Sequence, residues 1–248
     1  MTLNFKKFIN YIIGLLGYKF SKLEFRKNII AQACDLITKK NPIIFDVGSY
    51  TGETCDIFKK SFPLSTVHCF EPNKIILKKM KEKFLCGSVI TNNFALGSKK
   101  ERKKFYQYKK LDTSSFYSVN KKNRWLNTAA KRAGVKTKDF LEKEYFVNVD
   151  TVDHYTKKHN IKFIDILKID TQGNDIEVLK GSLNKIKNNK IKVIILEIIF
   201  SDTYNKKLST FYEIEKILIK NHYKFYANDN FGNLKEDANY QMNLLYTL

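Results

Sequence analysis

An α/β fold with a largely parallel sheet follows from three features of this 248-residue chain. Short apolar runs alternate with helical patterns of about 10–15 residues, the rhythm of βαβ units. The final two apolar runs, Tyr223–Ala227 and Met242–Leu248, have no helix between them and are therefore expected to pair antiparallel. No apolar run approaches the roughly 18 residues that a membrane-spanning helix requires.

The elements follow in order. Phe5, Phe8, Ile9, Ile12, Ile13 and Leu16 recur at helical spacing beside Lys6, Lys7 and Lys19. This reads as an amphipathic helix rather than a signal peptide, because the apolar stretch ends in Lys19 and Lys22 without a small-residue cleavage site. Such a helix either packs on its own domain or lies on an anionic membrane surface. A second helix, Ser21–Lys39, runs up to the stop at Asn41–Pro42. Residues 1–40 are thus an N-terminal helical extension, and 41–248 form the main domain.

Within that domain the apolar runs Pro42–Val47, Thr66–Phe70, Ser88–Asn92, Phe163–Ile169 and Ile191–Ile198 read as strands. Gly52–Ser61, Asn73–Phe84, a segment carrying Ile176, Val178, Leu179 and Leu183, and Leu208–Lys220 read as helices. Between Ala95 and Val152 the rhythm breaks. Phe105–Tyr108, Ser115–Val119 and Tyr145–Val149 alternate like hairpin strands, so residues 98–150 are expected to be a β-rich insertion.

The chain carries 45 Lys+Arg against 25 Asp+Glu, a formal charge of +20. All but four of the basic residues are lysine, and Ile, Asn, Phe and Tyr are abundant too, the composition that A/T-rich codons produce. The simplest reading is a solvated lysine coat; the other is an anionic partner such as lipid, nucleic acid or acidic polymer. The charge concentrates in the insertion, where residues 99–145 hold 15 Lys+Arg and 5 Asp+Glu. Cys34, Cys55, Cys69 and Cys86 are widely spaced, which excludes a zinc ribbon or thioredoxin-type pair and fits reduced thiols in a cytoplasmic protein.

The chemistry begins at Ile43-Ile44-Phe45-Asp46-Val47-Gly48-Ser49-Tyr50-Thr51-Gly52. A strand ends in a carboxylate, makes a glycine turn and enters a helix, a geometry that lets ligand atoms reach the backbone. The middle glycine of a pyrophosphate-binding turn is missing, and Asp46 would repel a diphosphate but suit an amino group. This fits the zwitterionic methionine end of S-adenosylmethionine. Glu71, ending the next strand at Phe70-Glu71-Pro72-Asn73, can accept both hydroxyls of a ribose, and Pro72 suits the first position of the following helix. His68, in mid-strand, reads as packed. His154, His159, Asp150 and Asp153 lack metal-ligand spacing.

Asp170 ends the fourth strand at the sheet edge where ligands bind in open α/β folds. A carboxylate there can orient an acceptor hydroxyl and take its proton. The competing role is a helix cap, since Asp170, Thr171 and Asn174 all suit a helix start. Lys168, two residues earlier, is a natural charge partner for Asp170. Glu197, ending the fifth strand at the same edge, is a second candidate acid. Thr113-Ser114-Ser115 could line the pocket, and the aromatic rings scattered among the insertion's lysines suit stacking on sugars or nucleobases.

Taken in order, the Asp46–Gly52 turn, Phe70-Glu71-Pro72-Asn73, Asn93-Phe94-Ala95-Leu96-Gly97, Leu167-Lys168-Ile169-Asp170-Thr171-Gln172-Gly173, Glu177–Gly181 and Leu196-Glu197 resemble the FkbM family of class I S-adenosylmethionine-dependent methyltransferases. The resemblance covers roughly residues 40–200. It implies a Rossmann-like α/β fold, an open seven-stranded sheet with helices on both faces, mostly parallel with an antiparallel last strand. It also implies that Asp46, Gly48 and Gly52 hold the methionine end, Glu71 the ribose, and Asn93 with Ala95 the adenine side. The family often carries an acid just after the position of Gly173, where this chain has Asn174-Asp175, so Asp175 could serve one position later.

The expected activity is O-methylation, with Asp170 and Glu197 as candidate catalytic acids and a sugar hydroxyl of a glycan or glycolipid as acceptor. The charge keeps an RNA methyltransferase as the rival enzyme, although no RNA-binding module is recognisable. A non-catalytic cofactor-binding protein is the other alternative, disfavoured because Asp46, Glu71 and Asp170 are all present.

Overall fold

The computed structural model describes residues 28–85, 87–206, 210–229 and 241–248. The expected amphipathic helix of residues 1–20 lies outside the described residues, as does Cys86. Seven strands form the main sheet: β1 (Ile43–Val47), β2 (Thr66–Phe70), β3 (Val89–Asn92), β7 (Ile164–Ile169), β8 (Ile191–Ile199), β9 (Lys224–Asn228) and β10 (Gln241–Thr247). Their order across the sheet is β3-β2-β1-β7-β8-β10-β9. Pairing is parallel from β3 to β8, and β10 runs antiparallel to both of its neighbours. This is the open, mostly parallel class I methyltransferase sheet that the resemblance implied.

The strands are apolar on both faces because helices cover both. Phe45, Val47, Leu167, Ile169 and Leu196 pack on one side of the sheet with α5 (Val152–Lys158), α6 (Asp175–Lys180), α7 (Leu183–Lys187) and α8 (Phe211–Leu218). Their alternates Ile44, Val67, Ile166, Val193 and Ile195 face the other side, against α1 (Ile29–Asp35), α2 (Glu53–Ser61) and α3 (Lys74–Lys83). Each buried side chain of this size contributes roughly 1.5–3 kcal/mol.

Local chemistry sets several boundaries differently from expectation. α1 spans Ile29–Asp35, short of the expected end at Lys39, and extended Asn28 caps it by accepting from the Ala31 N–H at 2.8 Å; the expected part before Asn28 lies outside the described residues. Asn73, not Pro72, starts α3: its side chain accepts from the N–H groups of Ile75 and Ile76. The helix expected through Leu183 is two short helices, α6 and α7. Asp153 caps the second of these, accepting from the N–H groups of Asn184 and Lys185 at 2.8 and 3.0 Å.

Residues 95–150 build a second sheet in the order β4-β6-β5, from β4 (Ala95–Leu96), β5 (Glu101–Tyr108) and β6 (Leu141–Asp150). Ser115–Val119 is not the expected third hairpin strand. Only isolated bridges, Tyr106 to Ser115 and Val119 to Tyr204, remain, and the Val119 N–H donates to the Tyr108 hydroxyl at 2.8 Å. A helix not foreseen from the pattern, α4 (Trp125–Arg132), follows, started by the Asn123 side chain, which accepts from the Trp125 N–H.

Candidate active site

A cavity of about 310 Å³ opens at the carboxyl ends of β1, β2, β7 and β8, within the size range of small-molecule sites. Gly48, Tyr50, Glu71, Asp170 and Glu197 line its floor and walls. Residues from the β4–β6 segment, among them Ala95, Phe105, Leu111, Ser114 and Phe116, close it from the other side. Of the Thr113-Ser114-Ser115 stretch only Ser114 faces the cavity. Ser115 instead donates its hydroxyl to the Gln172 carbonyl at 2.7 Å.

The β1–α2 turn is fixed by a close approach. Gly48 has φ +74°, and a Cβ there would stand 1.8 Å from the Asp170 carbonyl oxygen, so only glycine allows β1 and β7 to end side by side. Gly52 plays a different part from the one expected. It is the left-handed N-cap of α2 and sits under the Phe84 ring, 2.5 Å from where a Cβ would be, away from the cavity.

Asp46 also departs from expectation. It is fully buried beneath the turn rather than on the cavity wall. Its partner is Lys168, whose ammonium lies 3.1 Å from Asp46 Oδ1 and donates to the Gly48 carbonyl at 3.1 Å; Asp170 is farther, at 3.7 Å. Parallel pairing places Asp46 and Lys168 directly opposite one another. Burial alone would lower the Lys168 ammonium, but Asp46 and then Asp170 beside it hold it above the usual lysine range.

Glu71 stands where expected, at the end of β2 and on the cavity wall. Its two oxygens accept from the Tyr50 N–H at 3.2 Å and the Asn73 N–H at 2.8 Å, which ties the glycine turn to the start of α3. Burial pushes its carboxyl up to about 7 against the pull of those two bonds. Ala95 lines the cavity, but Asn93 does not. The Asn93 amide donates to the carbonyls of Glu71 and Pro72 at 3.2 and 3.1 Å and faces a neighbouring groove, bracing the turn from outside.

Asp170 is freed from capping by Asp175. The Asp175 carboxyl, pushed up to about 6 chiefly by burial, accepts from the Thr171 and Gly173 N–H groups and the Thr171 hydroxyl, holding the turn after β7. The Asp170 side chain is 37% exposed into the cavity. Glu197 is almost wholly buried, and burial followed by the charges of Asp170 and Asp175 raises its carboxyl well above the usual range.

Gln172 links these two acids and was not foreseen. Its amide nitrogen donates to Asp170 Oδ1 at 3.2 Å and to Glu197 Oε2 at 3.3 Å. The available signal was the neutral amide in Asp170-Thr171-Gln172-Gly173, beside two acids at one sheet edge. His68 is packed as read, with Nδ1 2.9 Å from the Tyr155 hydroxyl and its pKa lowered to about 4 by burial.

The cavity suits S-adenosylmethionine on its own geometry. A glycine turn without a Cβ, a carboxyl at the end of β2 and an excess of carboxylates facing the opening match a ligand with a cationic sulfonium. Glu71 would hold the ribose hydroxyls and the backbone around Gly48 the methionine end, with Ala95 on the adenine side.

A family profile described as the methyltransferase FkbM domain matches residues 46–225. Methyltransferase sdnD of Sordaria araneosa is 25% identical over 198 residues, covering 66% of this chain and 71% of its own. Among solved structures, methyltransferase FkbM from Methylobacillus flagellatus KT aligns with TM-score 0.49 and 13% identity over 91% of this chain and 47% of that one. This chain thus spans about half the length of that protein. A putative S-adenosylmethionine-dependent methyltransferase from Listeria monocytogenes aligns with TM-score 0.47 and 9% identity, over 88% of this chain and 96% of that one.

Proposed function

Because this chain belongs to the FkbM methyltransferase family, and so uses S-adenosylmethionine, we propose that it methylates the oxygen of a sugar hydroxyl in a glycan or glycolipid. When bound, the cofactor supplies an electrophilic methyl group on a sulfonium, which leaves as a thioether keeping the electrons of the broken C–S bond. Asp170 holds the acceptor hydroxyl and takes its proton as the new O–C bond forms, the step for which a neutral alcohol needs help. Glu71 and the Gly48 turn position the cofactor, and Phe105 and Phe116 exclude water from above.

The observation that carries this reading is the Asp170 carboxylate, exposed to the cavity while Asp175 caps the turn in its place. The rival reading, an RNA acceptor, rests on charge alone, and four of the fifteen basic residues in 99–145 pair within that segment. Lys99, Lys104, Lys109 and Lys110 pair with Glu101, Glu144, Glu142 and Asp112 of the same segment. Contact of the N-terminal helix with a membrane belongs to this proposal too, on residues outside those described.

The test is transfer of radiolabelled methyl from S-adenosylmethionine onto fractionated cell polysaccharide, lipid and RNA. Label in polysaccharide or glycolipid is expected. Label in RNA alone would overturn the glycan reading.

A further inference from the structure

We infer that Gln172 is a positioning residue that binds Asp170 and Glu197 into one oxygen-reading pair, and that the acceptor is therefore a vicinal diol. One hydroxyl is methylated and its neighbour is held by Glu197. The inference rests on the O-methyl transfer reading above and names the acceptor's chemistry within it.

The amide is held from every side. Gln172 has φ +51°, and its backbone carbonyl accepts from the Ser115 hydroxyl at 2.7 Å. The Gln172 Oε1 atom lies 3.1 Å from the buried Tyr204 hydroxyl, which is also 2.8 Å from the Thr113 carbonyl. This leaves Nε2 facing the two carboxyls, and the opposite amide orientation would set an oxygen against the Asp170 carboxylate. Both N–H groups of one nitrogen are thus spent on the two acids, so the acids keep a fixed separation.

The pair is unequal by position. Asp170 faces the opening, whereas Glu197 is buried, with Asp170 and Asp175 adding unfavourable charge. Carboxyls this close do not all ionise together, and the more buried one keeps its proton. Glu197 then offers an O–H donor where Asp170 offers an acceptor. A lone hydroxyl uses only half of this arrangement. A vicinal diol uses both halves, donating from one oxygen to Asp170 and accepting from Glu197 at the next. Glu197 moves no proton in the reaction.

The other charged groups around the pair are Lys168 on β7, Asp46 on β1, Asp175 on α6, and Asp112 and Asp229 on flanking loops. The Gln172 amide reaches none of them. Removing it therefore withdraws a donor from Asp170 and Glu197 alone, and losing a bond to the charged form raises a carboxylate's pKa.

Two experiments test this. In the first, a polysaccharide fraction is treated with mild periodate, which cleaves vicinal diols and leaves isolated hydroxyls intact, then borohydride, and offered to the enzyme with radiolabelled S-adenosylmethionine. Label should fall roughly tenfold or more relative to borohydride alone, the scale of losing a charge-assisted hydrogen bond. Unchanged label would overturn the diol inference and leave O-methylation standing. No label in any untreated fraction, from protein that binds the cofactor, would overturn O-methylation and the diol with it.

In the second, Gln172→Met keeps the length but removes the donors, and Tyr204→Phe releases the amide without altering it. Both should leave cofactor affinity within about twofold, lower kcat, and shift the acidic limb of the kcat–pH profile to higher pH, Tyr204→Phe less so. A profile that falls in height without moving would make Gln172 a merely structural residue. Cofactor binding confirms folding of each variant.

Discussion

Lys168 stands directly beside Asp46 on the neighbouring parallel strand, its ammonium 3.1 Å from the carboxylate, and both side chains are buried. Neither Asp46 oxygen accepts a well-aligned hydrogen bond, so the ion pair is the main compensation for burying that charge. Removing one partner leaves the other uncompensated. Lys168→Met should therefore cost about 3–5 kcal/mol, read by denaturant unfolding. The double variant Lys168→Met with Asp46→Asn should recover much of that loss. An additive double variant would mean that the two residues act independently.

Gly48 and Gly134 form a matched pair for testing the close approach at the turn. Both have positive φ, but a Cβ at Gly48 meets the Asp170 carbonyl at 1.8 Å whereas one at Gly134 meets nothing within 4 Å. Gly134→Ala should cost only the left-handed penalty of about 1–2 kcal/mol. Gly48→Ala should cost clearly more and weaken cofactor binding, because the ends of β1 and β7 must separate. Equal thermal shifts for the two variants would remove the steric argument.

Glu71 couples pH to both stability and cofactor binding. Its folded carboxyl is raised from 4.5 to about 7, so the folded state holds a proton that the unfolded chain has released. Stability of the unliganded protein is then fullest below about 4.5 and declines as pH rises through about 7. Affinity for the cofactor should run the other way, gaining up to about tenfold per pH unit below 7 as the ribose-accepting carboxylate forms. Glu71→Ala should lower affinity at least about tenfold at neutral pH. Glu71→Gln should flatten the pH dependence while keeping one of the two bonds that brace the turn, because an amide has a single accepting oxygen. Calorimetric titration across pH reads both, and a parent affinity that ignores pH would reassign Glu71 to bracing alone.

Asp170→Asn tests the base directly. Asparagine preserves the shape and the bond from Gln172 only in part, but Asp175 still holds the turn, so folding and cofactor binding should persist. Turnover should fall roughly 10²–10⁴-fold under single-turnover conditions. Near-parental turnover would transfer the role to Glu197.

The strands were legible because each is a short apolar run between turn residues, and the acids ending β1, β2, β7 and β8 could be placed by counting. What escaped depends on neighbours that only the assembled sheet supplies. Lys168 and Asp170 lie two apart on one strand and so invite pairing, yet parallel register sets Asp46 closer to that lysine. Gly52 reads like a ligand-facing glycine until Phe84, thirty-two residues on, proves to cover it. Asn93 sits in the right motif, but its amide is claimed by the turn after β2. α4 was hidden by the aromatic and basic texture around it, although Leu126, Ala129 and Ala130 carry its buried face.

The position of β10 between β8 and β9 bears on how the molecule assembles. Among the described residues β9 has no other partner in the sheet, so it joins the sheet only through β10. Its contacts with β10 span 16–23 residues, whereas β10 reaches β8 across 42–54 and β1 reaches β7 across 122. The shorter closure costs less chain freedom, so β9 and β10 can pair with each other first and dock on β8 as a unit. Amide exchange should show it, with β9 and β10 gaining protection together during refolding, and no later than β1 and β7.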